Sequence, residues 1–409
     1  MAVGMLQDVT LGYQFLWNVQ RQMAGTVLTL DALPGSGVGV EHLIKLLGEL
    51  WQTQTPALVL STPSPASLAT LLDLTPSPLA HVLVSSDLLT DPAIAQRVQR
   101  ARQRGLSLIW RGQPGQNPLP AVAASFGQNI ISLTAEDALM ALRVSLRRLH
   151  SAEHPPGLRS ASPVRAGQIY DGVASRVLAE HCLDQQGAVA LLGWPMEDVL
   201  YSYRHTRIQP GQHLIGDIIK AIDAEASMDD IERGLGEEPM LAYRFLRFVN
   251  SAGLGLRQEI DALRQGMMVL GLTRTKNWLQ ELLPHASHDL NLNPVRQGMV
   301  VRARFMAQLL EVGESEALQR ELSLCGLLSQ IDLLQGEPMT HTLRGLPLPS
   351  RVKEALLSQT GPYWPYLDVA TAMETSHLDL TRERCVYHDL DPSDVNLALL
   401  RTLAALRKA

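Results

Sequence analysis

Strand-like and helix-like segments alternate through the first half of this 409-residue sequence, and then the strands stop. Short β-branched or apolar runs at residues 11–17, 26–30, 57–61, 81–85, 106–110, 129–133 and 188–192 carry the strand signal. Between them lie amphipathic helical patterns such as "VEHLIKLLGELW" and "DPAIAQRVQRARQRG". The second has Asp91 as an N-cap, Pro92 at the first helical position and Gly105 at its end. Alternation of this kind implies parallel strands joined by right-handed crossovers. Seven strands fit an incomplete or reduced (β/α) barrel better than a long open sheet, with closure left open. The first strand, "LGYQFLWNV", is apolar on the face of Leu11, Tyr13, Phe15, Trp17 and Val19, while Gln14 and Asn18 share the other face with Gly12 and Leu16.

The stretch 150–167 is rich in Pro, Ser and Gly and reads as a loop, yet "QIYDGVASRVLAEHCL" and "AVALLGWP" resume the helix and strand grammar after it. The better boundary is "RHTRIQPGQH", which gives domains at 1–203 and 204–409. Beyond it the sequence reads as an all-α bundle of about ten helices or fewer. Ser227 is a cap with Asp230 three residues on, and Pro239 opens a helix that carries Leu241, Phe245 and Phe248 and stops at Asn250-Ser251. No repeat of solenoid period is present.

Hydrophobic residues make up 46% and charged residues 19%, a folded rather than a disordered composition. The net charge of -6 argues against a general nucleic-acid binder. Cys182, Cys325 and Cys385 are odd in number and far apart, so neither a disulfide framework nor a CxxC metal site is indicated. The opening "MAVGMLQDVT" lacks signal-peptide features, and no apolar run reaches the roughly 20 residues that span a bilayer. These readings predict a cytoplasmic protein with no membrane partner.

The run "IERGLGEEPMLAYRFLRFVNSAG…IDALRQGMMVLGLTRTKNWL" resembles an HDOD domain, a helical relative of the HD phosphohydrolases. The matching positions are Glu238, Pro239, Asn250, Ser251, Ala252, Leu270 and Gly271, with Trp278 following. "RARFMAQLLE", "LCGLLSQIDLL" and "LRGLPLPSRVKEALL" resemble the variety of HDOD fused behind an EAL domain. EAL domains are (β/α) barrels that hydrolyse cyclic di-GMP with two metals held by carboxylates at strand ends. Under that resemblance "GYQFL" is the Glu-Ala-Leu strand with Gln14 in the Glu position, Ser61 stands for a metal-binding Asn, and Val84 or Ser85 stands for the next Glu. Trp110-Arg111 replaces an Asp-Asp pair, and Leu192 replaces the Gln of a closing Gln-Gly-Tyr segment.

Two divalent cations need several anionic oxygens, which a barrel gathers at the C-terminal ends of its strands. Among the acids of residues 1–150 only Asp31 falls directly at a predicted strand end, with Asp87 two residues beyond another. Gln14 is neutral, Trp110 has no oxygen, and Arg111 repels cations. Trp110 is therefore expected to plug the old site, with Arg111 turned to solvent or to an acid. In the helical half His285, His288 and Asp289, and separately His388, Asp389 and Asp391, are metal-ligand types that read as solvated loop residues. The Gly-rich "GSGVGVEH" reads as a turn, the arginines at 97, 100, 102 and 104 as a solvated face, and Asn250-Ser251 as a helix cap.

The function expected is that of a non-catalytic bacterial signalling scaffold, a degenerate EAL barrel fused to HDOD and acting through protein contacts. No cofactor, metal or catalytic residue is expected. Cyclic di-GMP and nucleic acid are disfavoured as partners, and homo-oligomerisation is left open. The alternatives are a cyclic di-GMP receptor without hydrolysis and a metal-dependent HD-type phosphohydrolase.

Overall fold

The computed structural model describes residues 6–33, 37–74, 80–150, 162–254, 259–310 and 315–407. Most of the expected loop at 150–167, and Gly35 and Ser36 of the Gly-rich turn, lie outside them. The chain forms two compact units, residues 1–198 with 372–409, and residues 199–371.

The first unit is built on a closed barrel of eight strands in sequential order: β1 (Val9–Asn18), β2 (Met23–Ala32), β3 (Ala57–Ser61), β4 (Ala80–Ser85), β5 (Ser107–Gly112), β6 (Gln128–Ser132), β7 (Ile169–Asp171) and β8 (Ala190–Leu192). The barrel is thus complete where a reduced one was expected. The eighth strand is β7, in a stretch where no strand was expected. Its Ile169 and Tyr170 are buried, and Gly172 ends it at φ +77°, where a Cβ would sit 2.6 Å from the Leu133 carbonyl. The helical pattern begins later, at the Ser175 cap of the helix Arg176–Glu180.

A second correction concerns direction. β1 runs antiparallel to both β2 and β8, while the remaining pairs are parallel. The β1–β2 hairpin turn contains no glycine. Arg21 adopts the left-handed φ of +56°, and Asn18 closes the turn by accepting from the Gln22 amide at 2.9 Å. Arg21 is held there by Asp184, with both guanidinium contacts at 2.6 Å.

The barrel interior is filled by Leu16, Val27, Val59, Leu83, Ile109, Ile130, Ile169, Ala190 and Leu192, drawn from all eight strands. Strand alternation puts Gln14 on this inner face and Tyr13, Phe15 and Trp17 on the outer face. Those three rings form a tilted ladder with centroids 5.1 and 5.7 Å apart.

The division expected at 203/204 puts residues 372–409 with the helical half, whereas by compactness they group with the barrel. They bond to the start of β1 and the residues just before it. The helix Pro392–Ala404 accepts the Leu6 amide on Ser393 Oγ, and its Asn396 amide donates to the carbonyls of Leu6 (3.2 Å) and Val9 (2.7 Å).

The second unit is helical. After residue 211, among the described residues, ten helices are eight residues or longer, two of which pack with the barrel. Its core gathers Ile215, Ile231, Leu241, Phe245, Met267, Trp278 and Leu279. The expected caps are in place: Ser227 accepts the Asp230 amide, and Pro239 opens the helix Pro239–Val249.

Candidate functional site

Two residues beyond the apolar ring, on the same inner faces, the strands present Thr29, Ser61, Ser85, Arg111, Ser132 and Asp171. β1 runs the other way and contributes Gln14, two residues before Leu16, and β8 closes the layer with the buried Leu192. This polar layer sits at the C-terminal end of the parallel strands, where barrels of this type assemble their sites. It therefore brings together Gln14, Ser61, Arg111 and Leu192, and at the end of β4 Ser85 lies on this face. Val84 points outward into the buried shell.

Trp110 is the exception. It alternates with Arg111, so it lies on the outer face, 1% exposed, and does not plug the mouth. Its ring occupies the space where a Cβ on Gly112 would fall, and its Nε1 has no hydrogen-bond partner among the described residues.

Arg111 is engaged with an acid that the sequence reading did not weigh. Its guanidinium pairs with Asp171 of β7 and its Nε donates to Ser132 Oγ at 3.0 Å. Ser132 in turn approaches the same Asp171 oxygen at 3.4 Å. One cation thus sits inside the layer, neutralising the one carboxylate there. The other nearby acid, Asp31, lies further out on β2 and is bound by Arg382 Nη2 at 3.1 Å. Among the described residues no group of three or more His, Cys, Asp or Glu is placed to hold a metal ion. The donor set therefore does not fit the two metals that the resemblance implies.

Arg382 belongs to the helix Leu378–Tyr387, a second element that sequence reading assigned elsewhere. Its Nε donates to Thr10 Oγ1 at 3.2 Å, so it spans β1 and β2 where the hairpin projects past β3. Gly12 lies on the same face, and a side chain there would strike the Thr375 carbonyl and come 3.0 Å from Leu378 Cδ2. The returning chain thus occupies the inner face of the hairpin at the barrel rim.

The motif residues of the helical unit are mostly bonded to its own backbone. Glu238 caps the helix Pro239–Val249 by accepting the Leu241 amide, and it is fully buried against Arg296, whose Nε lies 2.7 Å from its Oε1. Burial pushes this carboxyl up from its ordinary range, against the pull of the Arg296 guanidinium. Arg296 also donates to the Gln209 carbonyl at 2.7 Å, and Arg244 bonds the Gln209 side chain at 2.7 Å, so the pair fixes the chain that enters the unit.

Asn250 donates to the carbonyls of Leu246 and Ile260 and accepts the Ile260 amide, all within 2.9 Å. Ser251 is exposed, and Ala252 opens the single turn Ala252–Leu254. Gly271 takes φ +79° between two helices. Trp278 packs edge-on to Phe245 and flat on Phe248, each at 5.4 Å.

Neither histidine cluster forms a metal-holding group among the described residues. Asp289 accepts from the Tyr203 hydroxyl and caps Asn291, while Asp391 caps the helix Pro392–Ala404.

Residues 211–336 match the family model described as the HDOD domain. Among curated proteins, the chain is 29% identical over 157 residues to the uncharacterized protein YuxH of Bacillus subtilis, covering 37% of each. It is 24% identical over 178 residues to the cyclic di-GMP phosphodiesterase CdgJ of Vibrio cholerae, covering 42% of this chain and 39% of that one. The matches thus span well under half the length of either relative. A solved structure, the MmoQ response regulator of Methylococcus capsulatus, overlays 48% of this chain and 98% of its own at 16% identity with a TM-score of 0.36, too loose to bear on the fold. No helix among the described residues is long and apolar enough to cross a membrane. The helical unit of this chain carries an HDOD domain.

Proposed function

We propose that the barrel is a degenerate EAL domain and that the chain is a non-catalytic signalling protein acting through protein contacts. The observation that carries this reading is the Arg111–Asp171 ion pair inside the polar layer. A site for two divalent cations needs a surplus of negative charge, and here a guanidinium cancels the available carboxylate. Support also comes from Asp31, which is engaged by Arg382, and from the neutral Gln14. A relative named as a cyclic di-GMP phosphodiesterase agrees with descent from that chemistry. The test is incubation of the full chain with cyclic di-GMP and Mg²⁺ or Mn²⁺, followed by chromatography. The reading requires that no linear product form above the enzyme-free control.

The competing reading, a receptor that senses cyclic di-GMP without cleaving it, needs cations free for phosphate. Arg111 and Arg382 are both committed to carboxylates. Calorimetry separates the two: heat from micromolar cyclic di-GMP supports the receptor, and its absence supports the scaffold.

A further inference from the structure

The helical unit holds a cavity of about 350 Å³, lined mostly by the stretch "LRGLPLPSRVKEALL" at residues 343–357. Its aliphatic lining is made by Leu343 and Leu346, both buried, with Pro347 and the half-exposed Leu357. The loop after the helix Met339–Thr342 bends through Gly345 at φ +76°, which brings Leu343 and Arg344 to one side of Leu346 and Pro347. The Tyr243 hydroxyl fixes that loop from behind by donating to the Thr342 carbonyl at 2.9 Å.

Its lining also carries two cations, Arg344 and Lys353, and one acid among the described residues, Glu259. Neither cation makes an ion pair among the described residues, although Arg351, two positions before Lys353, is bound by Glu321 at 3.0 Å. Of two basic residues on the same short turn, one is neutralised within the fold and the other lines a cavity together with Leu343, Leu346 and Leu357. This is the arrangement of a recognition pocket, in which an apolar anchor is buried and charges at the edge set its orientation.

We propose that this cavity receives an acidic–aliphatic peptide segment of a partner protein. An aliphatic side chain would seat on Leu343, Leu346 and Leu357, and a neighbouring carboxylate would face Arg344 and Lys353. The proposal rests on the reading that the chain works through protein contacts, and it names the chemistry of one such contact. The volume suits one or two side chains and is at the small end for a drug-sized ligand.

The test uses the full chain. Immobilised hexapeptides composed of Asp, Glu, Leu, Ile and Val are probed beside the same set with Lys replacing every acid. The wild type should favour the acidic set by at least about tenfold, and the Arg344→Glu/Lys353→Glu variant should lose that preference. Leu357→Ala should weaken capture without reversing the charge preference. Equal capture of both sets, or an acidic preference that survives charge reversal, overturns the proposal. Displacement of the peptides by millimolar inorganic phosphate at constant ionic strength also overturns it, because the site would then serve a free anion. Circular dichroism of each variant establishes folding, and Arg344→Gln/Lys353→Gln replaces the charge reversal if that variant unfolds. A chain that binds partners elsewhere yet shows no acidic preference would sink this site and leave the scaffold reading standing.

Discussion

Arg111 of β5 and Asp171 of β7 are joined across the intervening strand β6, whose Ser132 bonds both. The side chains are 35% and 18% exposed, so solvent screens the pair in part. Asp171→Asn should lower stability by about 1 kcal/mol, and Arg111→Gln by a similar amount. Because both changes remove the same contact, the double variant should cost less than their sum. Urea unfolding followed by tryptophan fluorescence measures this. Strict additivity would show that the two side chains do not interact.

The returning chain at the barrel rim makes a different prediction. A methyl group at Gly12 would collide with the Thr375 carbonyl, which is backbone and cannot swing aside. Gly12→Ala should therefore cost about 1–3 kcal/mol, and the loss should be local to residues 372–387. Hydrogen exchange should rise there in Gly12→Ala and in Arg382→Ala, while amides of β4 to β6 keep their protection. Unchanged exchange in 372–387 would mean that this segment does not rest on the hairpin.

Glu238 and Arg296 are both almost fully removed from water. Deleting one partner leaves the other charge buried alone, so Glu238→Ala should destabilise the helical unit by about 3–5 kcal/mol. The loss should change little between low and high salt, because screening ions do not reach the pair. A cost below about 1 kcal/mol, by thermal or urea unfolding, would contradict the buried pairing.

The three cysteines are free and buried, and burial pushes the thiols of Cys182 and Cys325 up to about 12 and that of Cys385 to about 11. A raised thiol constant means the neutral form persists well above neutrality, and only the thiolate attacks disulfide reagents. At about pH 8, Ellman's reagent should therefore find almost no reactive thiol in the native protein. All three should react once guanidinium unfolds it, because the unfolded thiols titrate near their ordinary value. Rapid native reaction of any one would place that cysteine at the surface.

Much of the barrel was legible because strand alternation and helix caps are local signals. Residues 57–61 match β3 to the residue, and Asp91 with Pro92 opens the helix Pro92–Gln103. The antiparallel β1 was hidden because its turn is made by Arg21 in a left-handed conformation, without the glycine that marks such a turn. β7 is three residues long and, unlike β8 within "AVALL", its apolar part is only Ile169-Tyr170, too short a run to carry the strand signal. Missing it also hid Asp171, the acid that engages Arg111. The signal available was the Asp-Gly that ends "IYDG", with Gly172 in the left-handed region. Trp110 was misplaced by treating neighbours in sequence as neighbours in a site, although strand parity separates it from Arg111. Arg382 could not be placed, because nothing local says that a chain will return to its first strand.

The scaffold account stands or falls on the chemistry of the barrel mouth. Gln14→Glu restores one carboxylate of the implied metal set and leaves Arg111 and Arg382 in place. The decisive measurement is cyclic di-GMP turnover with Mg²⁺ or Mn²⁺ by the wild type and by Gln14→Glu, each at high protein concentration. The account predicts no linear dinucleotide above the enzyme-free control from either protein. Turnover by the wild type, or by the single variant, would contradict it and show that the remaining residues of the polar layer can still assemble a working site.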